Sequence, residues 1–166
     1  YVMIAALPAL PFALPLLPIE RYIAYATRLG LTPSTQERQR VGPLPQHYAD
    51  MFGWPELAHE VSRVYHTLTP DEQRRCVIYG QNYGEAGAIC VLGKRLGLPP
   101  AISGHNAFWT WGPGPDVQDP VVIIIGGEQA DHAQDFGRLE RAGVWTSAYA
   151  MPYERDSPIW VGRGIK

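Results

Sequence analysis

The sequence has little cysteine and no large excess of charge of either sign. Both features limit the range of possible functions. Two cysteines, Cys76 and Cys90, are too few for a disulfide scaffold, and their surroundings predict free thiols in a buried strand and a helix. With 14 basic and 16 acidic residues spread along the chain, the net charge of −2 offers no basic surface for nucleic acid or anionic lipid. We therefore expect neither partner.

The sequence also lacks a metal or cofactor motif. The histidines form no close pair at ligand spacing and do not combine with the cysteines, so we expect no metal site. Gly84 and Gly87 precede a predicted helix, but their spacing is neither that of a dinucleotide fingerprint nor that of a phosphate loop. We therefore expect no bound cofactor. The histidines are His47, His59, His66, His105 and His132.

Charge is missing altogether from residues 1–19. An apolar run of this length raises the question of a membrane span, but four prolines interrupt any helix through it. Two interpretations remain open. Either residues 1–7 are the last turns of a transmembrane helix followed by a stiff proline-rich exit, or the segment is an arm lying across a groove of its own domain. The prolines are Pro8, Pro11, Pro15 and Pro18.

The rest of the chain has the length and apolar content of one α/β domain. Residues 20–50 predict a helix followed by an irregular connector rich in proline. The α/β domain itself is expected at residues 51–166. Its first helix begins at Pro55, and Thr69 with Glu72 predicts a capped helical turn after it.

From Cys76 onward, short apolar strands alternate with helical segments. The strongest strand is 121–125, since an unbroken β-branched run suits a strand that is covered on both faces. The order predicts a small, mostly parallel sheet of about four to five strands with helices on both faces, preceded by the proline-rich apolar arm. The predicted strands are 76–79, 101–103, 121–125, 144–149 and 158–163, and the predicted helices are 85–96 and 129–142.

Two glycine-rich turns follow the first two predicted strands, at residues 80–85 and 103–112. Side chains in such turns seldom fill a core, so their amide, acidic, imidazole and aromatic groups are expected to face a ligand. In an open α/β sheet, the turn at 126–128 would line the same crevice. The candidate ligand-binding residues are Asn82, Tyr83, Glu85, His105, Asn106, Trp109 and Trp111.

Most of these residues also have a purely structural interpretation. Asn82 and Glu85 can cap the helix that follows them. Asn106 can serve the geometry of its turn. Trp109 and Trp111 would lie on one face of an extended segment and can belong to the core, although indole rings also stack on the apolar faces of sugars.

Catalytic residues are harder to find in this pattern. Glu85 and His105 would form an acid/base pair if their turns are adjacent. No nucleophile elbow, metal cluster or pair of carboxylates accompanies them. Ser103 lies two residues before His105 at a strand end, where its hydroxyl would not point at the imidazole ring. We therefore assign no catalytic residue.

A set of short motifs extends over about residues 45–165: Phe52-Gly53-Trp54, Tyr83-Gly84-Glu85-Ala86-Gly87-Ala88, Gly97-Leu98-Pro99-Pro100-Ala101-Ile102-Ser103-Gly104-His105-Asn106, Trp109-x-Trp111-Gly112-Pro113 and Pro158-Ile159-Trp160-Val161-Gly162-Arg163-Gly164. In combination they resemble the C-terminal soluble region of bacterial membrane glycosyltransferases of family 39. These are protein-mannosyltransferase-like enzymes related to the aminoarabinose transferases of lipid A. Cys90 departs from the pattern, which has an acidic residue at that position.

The resemblance implies a function as well as a fold. In such enzymes a multi-span membrane domain takes a sugar from a polyprenyl-phosphate donor, and an extracytoplasmic α/β domain follows the last span. This chain would then lie on the periplasmic or cell-surface side, tethered to a parent membrane domain, with residues 1–19 as the exit from the last span. The catalytic carboxylate would lie in a loop of the membrane domain. We therefore expect a non-catalytic module that helps to hold a polyprenyl-phosphate sugar or a glycan acceptor.

Two other functions remain open from the sequence. One is a self-sufficient soluble enzyme that uses Glu85 and His105 on a small polar or nucleotide-like substrate. The other is a purely structural domain that packs on the membrane module. In that case Trp109 and Trp111 would be buried only in the whole protein.

Overall fold

A computed structural model of the protein describes residues 7–31, 33, 42–152 and 154–166. The helices in these ranges are α1 (Leu10–Ala13), α2 (Ile19–Arg28), α3 (Gln46–Ala49), α4 (Trp54–Tyr65), α5 (Pro70–Arg74), α6 (Tyr83–Leu92) and α7 (Gln129–His132). The strands are β1 (Cys76–Gly80), β2 (Ala101–Ile102), β3 (Val121–Ile125), β4 (Phe136–Trp145) and β5 (Ser157–Ile165). Short 3₁₀ helices lie at Leu7–Ala9, Gly93–Leu96 and Asn106–Trp111.

The local signals of the sequence place several elements correctly. Strand β3 has the predicted bounds, and β1, β2 and β5 lie within two residues of theirs. The predicted capping box is also confirmed. The Thr69 hydroxyl accepts from the Glu72 backbone N–H, and the Glu72 carboxylate accepts from the Thr69 N–H. Residues 32 and 34–41 of the predicted connector lie outside the described residues.

The chain forms an α/β fold around one mixed, five-stranded sheet with the strand order β2-β1-β3-β5-β4. Strand β1 pairs in parallel with β2 and β3. Strand β5 pairs antiparallel with both β3 and β4, and these two pairings extend over more residues than the parallel ones. The prediction of a mostly parallel sheet is therefore wrong. The parallel character holds only for the three strands whose carboxyl ends carry the predicted turns.

The error arises in the segment predicted as a helix over 129–142. Its helix, α7, ends at His132, and Phe136 then opens the ten-residue strand β4. The sequence Arg-Leu-Glu-Arg-Ala in this segment suits a helix, but pairing along β5 outweighs that local preference. Gly143 lies at an irregularity of the ladder, where a Cβ atom would come within 2.5 Å of the Glu60 carboxylate.

The two faces of the sheet are covered differently. Helices α4 and α6 both pack on one face and bury the largest cluster of apolar side chains there. The other face has a smaller cluster, and among the described residues the four-residue α7 is the helix beside it. The second face therefore has less helical cover than the predicted helix over 129–142 would give, because most of that segment became β4. The buried residues of that smaller cluster are Val122, Ile124, Phe136 and Trp160.

The buried indole of Trp145 fixes the start of α4 on the sheet. Its Nε1 donates to the Gly53 carbonyl oxygen at 3.0 Å, and its ring stacks on Trp54 with 6.2 Å between ring centroids. Gly53 has a φ of 92°, and a Cβ atom there would lie 2.8 Å from the indole of Trp145. This packing holds Trp54 at the edge of the core, beside the turn that precedes α6.

The described part of the apolar N-terminal segment packs against a second cluster around α2 and α3. The Tyr48 hydroxyl lies 2.5 Å from the Pro11 carbonyl oxygen and 2.6 Å from that of Leu14, so it can donate to either. The side chains of Phe12 and Leu17 contact the same cluster. Among the residues described, no helix combines the length and apolar character that crossing a bilayer requires. Residues 1–6 of the predicted transmembrane end lie outside the described residues.

Candidate functional site

The turn after β1 closes on the N-terminus of α6 through a reciprocal pair of hydrogen bonds. The Asn82 side-chain oxygen accepts from the Glu85 N–H at 2.9 Å, and the Glu85 carboxylate accepts from the Asn82 N–H at 3.1 Å. This is a capping box, so the structural interpretation of both residues is confirmed. Gly80 lies so close to α6 that a Cβ atom would stand 2.7 Å from the Ala86 nitrogen.

Glu85 is the most deeply buried acidic residue described, with 6% of its surface exposed. Burial raises its pKa from 4.5 to about 7, because the charged form loses water. The backbone N–H groups of Asn82 and Gln81 act in the opposite direction, and the nearby charge of Glu154 adds to the increase. Glu85 is therefore a buried carboxyl group that changes its charge near neutral pH.

The turns after β1, β2 and β3 lie together at one edge of the sheet, as the parallel strands predicted. The Gln81 amide nitrogen and the Gly126 carbonyl oxygen lie 3.2 and 3.3 Å from Nε2 of His132. The rings of Tyr83 and His105 connect the first turn to the second, with 5.3 Å between their centroids. This edge of the sheet therefore joins all three predicted turns.

A polar cleft of about 370 Å³ opens beside the first two turns. Three of the predicted residues, Asn82, Tyr83 and His105, line it. His105 is exposed, and Tyr83 has 54% of its surface exposed. The other residues that line this polar cleft are Gln46, Asp50, Trp54, Gly84 and Glu154.

Four of these residues were not among the predicted candidates: Gln46, Asp50, Trp54 and Glu154. They lie far from the turns along the chain, and tertiary packing brings them to the cleft. The Trp54 Nε1 donates to the Asp50 carbonyl oxygen at 2.7 Å, and the Trp54 ring lies against Gly84, where a Cβ atom would approach it to 3.0 Å. The motif Phe52-Gly53-Trp54 was the one signal in the sequence that pointed to Trp54.

The second turn continues into the 3₁₀ helix Asn106–Trp111 and does not form the extended segment expected from the sequence. Trp109 and Trp111 therefore do not share one face, since residues two apart point in different directions on such a helix. They are not core residues either, because 65% of Trp109 and 74% of Trp111 is exposed. Asn106 has a φ of 52°, which agrees with its role in turn geometry.

Trp109 lines a second cleft, of about 620 Å³, on the other side of the Gly104–His105 turn. We call it the tryptophan cleft, and Tyr79, Ile102 and Ser103 also line it. Trp111 instead contacts Phe108, with 4.4 Å between ring centroids. The seven predicted residues thus divide into three that line the polar cleft, one in the tryptophan cleft and three that line neither: Glu85, Asn106 and Trp111.

Glu85 and His105 form no hydrogen bond or ion pair with each other, and each has other partners. The Glu85 carboxylate is held by the turn backbone, and the His105 ring contacts Tyr83. Ser103 accepts the His105 backbone N–H at 3.2 Å and so stabilises the turn. Among the described residues, no group of three or more His, Cys, Asp or Glu side chains is placed to hold a metal ion.

Comparison with protein-family models, with curated proteins and with solved structures finds no match to this chain. The site is therefore interpreted from its own geometry and from the motifs of the sequence.

Proposed function

We propose that this chain is a non-catalytic, sugar-binding module of a membrane-embedded glycosyltransferase that uses a polyprenyl-phosphate sugar donor. The observation that carries the proposal is that the polar side chains at this edge of the sheet have different roles. Glu85 is committed to the helix cap, whereas Tyr83 and His105 present their rings in the polar cleft. The motifs resemble those of family 39 enzymes. This resemblance supports the proposal that the chain belongs to a larger glycosyltransferase, lies outside the cytoplasm and is tethered to a membrane domain.

The chemistry of the polar cleft favours a hydroxylated ligand. Trp54 and Tyr83 offer aromatic surface for the apolar faces of a sugar ring, and the exposed imidazole of His105 can form a hydrogen bond with one of its hydroxyl groups. Among the described residues, no lysine or arginine lines the cleft. We therefore assign the cleft to a sugar, either that of the glycan acceptor or that of the donor.

The proposal is tested by titrating the chain with a panel of neutral methyl hexosides and short glycans. Ligand-observed NMR measures the binding. We expect His105→Ala to weaken binding by about tenfold, which corresponds to about 1.4 kcal/mol. Trp109→Ala tests the tryptophan cleft. Trp111 lines neither cleft, so Trp111→Ala is the matched aromatic control. Equal or negligible binding by the unchanged chain and all three variants would contradict the proposal.

Acid/base catalysis by Glu85 is the second candidate function, and its pKa of about 7 favours it, because such a group transfers protons efficiently at neutral pH. In that case the chain would turn over a small polar or nucleotide-like substrate without a membrane domain. Glu85→Gln keeps the size of the side chain and its capping ability but removes the titrating proton. If the unchanged chain turns over such a substrate and Glu85→Gln does not, the chain is an enzyme, and this function replaces the proposed sugar-binding module.

A further inference from the structure

A separate groove of about 550 Å³ lies on the sheet face opposite α4 and α6. Its floor consists of side chains from the three parallel strands, and this volume lies in the range of small-molecule binding sites. We call it the open-face groove. The floor residues are Val77, Tyr79, Ile102, Val122 and Ile124.

One wall of the open-face groove is stiff and anchored. It contains Pro113, Pro115 and Pro120, whose rings restrict the backbone of the loop between β2 and β3. Arg75 holds the end of this loop, since its guanidinium donates to the Asp119 carboxylate at 2.7 Å and also to the Asp119 carbonyl oxygen. An anchored proline wall keeps the groove open without a ligand, which lowers the entropic cost of binding.

The opposite end of the groove is acidic. Asp131 is fixed at the start of α7, where its carboxylate accepts the Glu128 N–H at 2.9 Å. Asp135 and His132 lie beside it in the lining. Within the described part of the chain, the Asp135 carboxylate makes no hydrogen bond or ion pair, and no lysine or arginine lines the groove. The backbone N–H of the exposed Lys166 donates to the Asp135 carbonyl oxygen at 3.0 Å.

The floor carries one polar group. The hydroxyl of Tyr79 forms no hydrogen bond with the part of the chain that the structure describes. Tyr79 lines both the open-face groove and the tryptophan cleft, so it lies where the two meet. An apolar floor with one hydroxyl group and an acidic end matches a ligand that has an apolar body and a positively charged end.

We propose that the open-face groove binds an amphiphilic primary amine. Its hydrocarbon part lies on the floor formed by Val122 and Ile124, and its ammonium group lies at the acidic end, beside Asp131 and Asp135. The Tyr79 hydroxyl forms a hydrogen bond with a polar substituent of the ligand. No described residue lines both the groove and the polar cleft, so we expect this binding to be independent of sugar binding.

The test compares three probes with the same eight-carbon chain, namely n-octylammonium, 1-octanol and n-octanoate, each kept below its aggregation limit. Backbone amide shifts are followed by NMR on the whole chain. We expect octylammonium to shift the amides of Val122, Ile124 and Asp135 and to bind about fivefold more tightly than octanol, as exposed charge pairs allow. Octanoate should bind more weakly than octanol.

Asp135→Asn should reduce the preference for octylammonium over octanol to about twofold, since it removes one of the two carboxylates. Glu56→Gln is the matched control, because Glu56 is an exposed acidic residue on α4, on the other side of the sheet, and its removal should leave the preference unchanged. Urea unfolding of each variant confirms that it folds. The proposal is overturned by equal affinity for the three probes, by an equal effect of both substitutions, by shifts outside the groove, or by no octylammonium binding.

Discussion

The turn after β1 and the turn after β2 both follow a short parallel strand, and both carry glycine, amide and aromatic residues. In the first turn, Asn82 and Glu85 direct their polar groups back to the backbone of α6. In the second turn, His105 and Trp109 are exposed, and each lines a cleft. The first turn therefore commits its amide and carboxylate to the edge of the sheet and presents the ring of Tyr83, whereas the second turn presents both His105 and Trp109.

Glycine substitutions should separate these roles most strongly. Gly80→Ala places a methyl group 2.7 Å from the Ala86 backbone nitrogen, and we expect it to lower the free energy of unfolding by about 3 kcal/mol. Gly87→Ala is the control in the same segment, since a Cβ atom there meets nothing within 4 Å. It should raise the stability by roughly 0.5–1 kcal/mol, because alanine is the better helix former. Urea unfolding measures both, and similar losses would contradict the close packing of the first turn.

The pH dependence of stability should reveal the burial of Glu85. Its pKa rises from 4.5 to about 7 in the folded protein, so the folded state holds the proton more tightly than the unfolded state. The resulting stabilisation is fully present below about pH 4.5 and is lost as the pH rises through about 7, a change on the order of 3 kcal/mol. Glu85→Gln should lack it.

This pH effect is measured as the difference in unfolding free energy between the unchanged chain and Glu85→Gln from pH 4.5 to 8. The difference cancels the contributions of the ionisable groups that the two proteins share. Glu72 does not interfere, because Arg163 lowers its pKa to about 2, and its contribution is lost only as the pH falls below about 4.5. Parallel curves for the two proteins would show that Glu85 is not buried as described.

Single side chains of the two turns should have smaller and unequal effects on stability. Asn82→Ala removes the acceptor of the capping box and should cost about 1 kcal/mol. Trp111→Ala removes a largely exposed ring and should change the stability by less than about 0.5 kcal/mol. Thermal and urea unfolding provide the comparison. A larger loss for Trp111→Ala would mean that the second turn is also structural.

The sequence predicted the parallel half of the fold because its signals are local. The β-branched run predicted β3. The pair Thr69 and Glu72 predicted a helix cap, and the glycines predicted the turns. The antiparallel half depends on pairing between β4 and β5, which overrides the helical preference around Arg138–Ala142. No local pattern carries that information.

The candidate site shows the same limit. Tyr83 and His105 were found because they lie next to glycines in predicted turns. Trp54 and Glu154 reach the polar cleft from distant parts of the chain, through the packing of α4 and of the segment before β5. The exposure of Trp109 and Trp111 could not be predicted, because an aromatic residue in a turn is as compatible with a core as with a surface.

The most direct test of the account compares sugar binding by Tyr83→Ala and Glu85→Gln at pH 7 in one NMR titration series. If the polar cleft binds the sugar and Glu85 only caps α6, Tyr83→Ala should weaken binding by about tenfold, or about 1.4 kcal/mol. Glu85→Gln should then stay within about twofold of the unchanged chain, since glutamine retains the cap. Loss of binding in Glu85→Gln with binding intact in Tyr83→Ala would contradict the account.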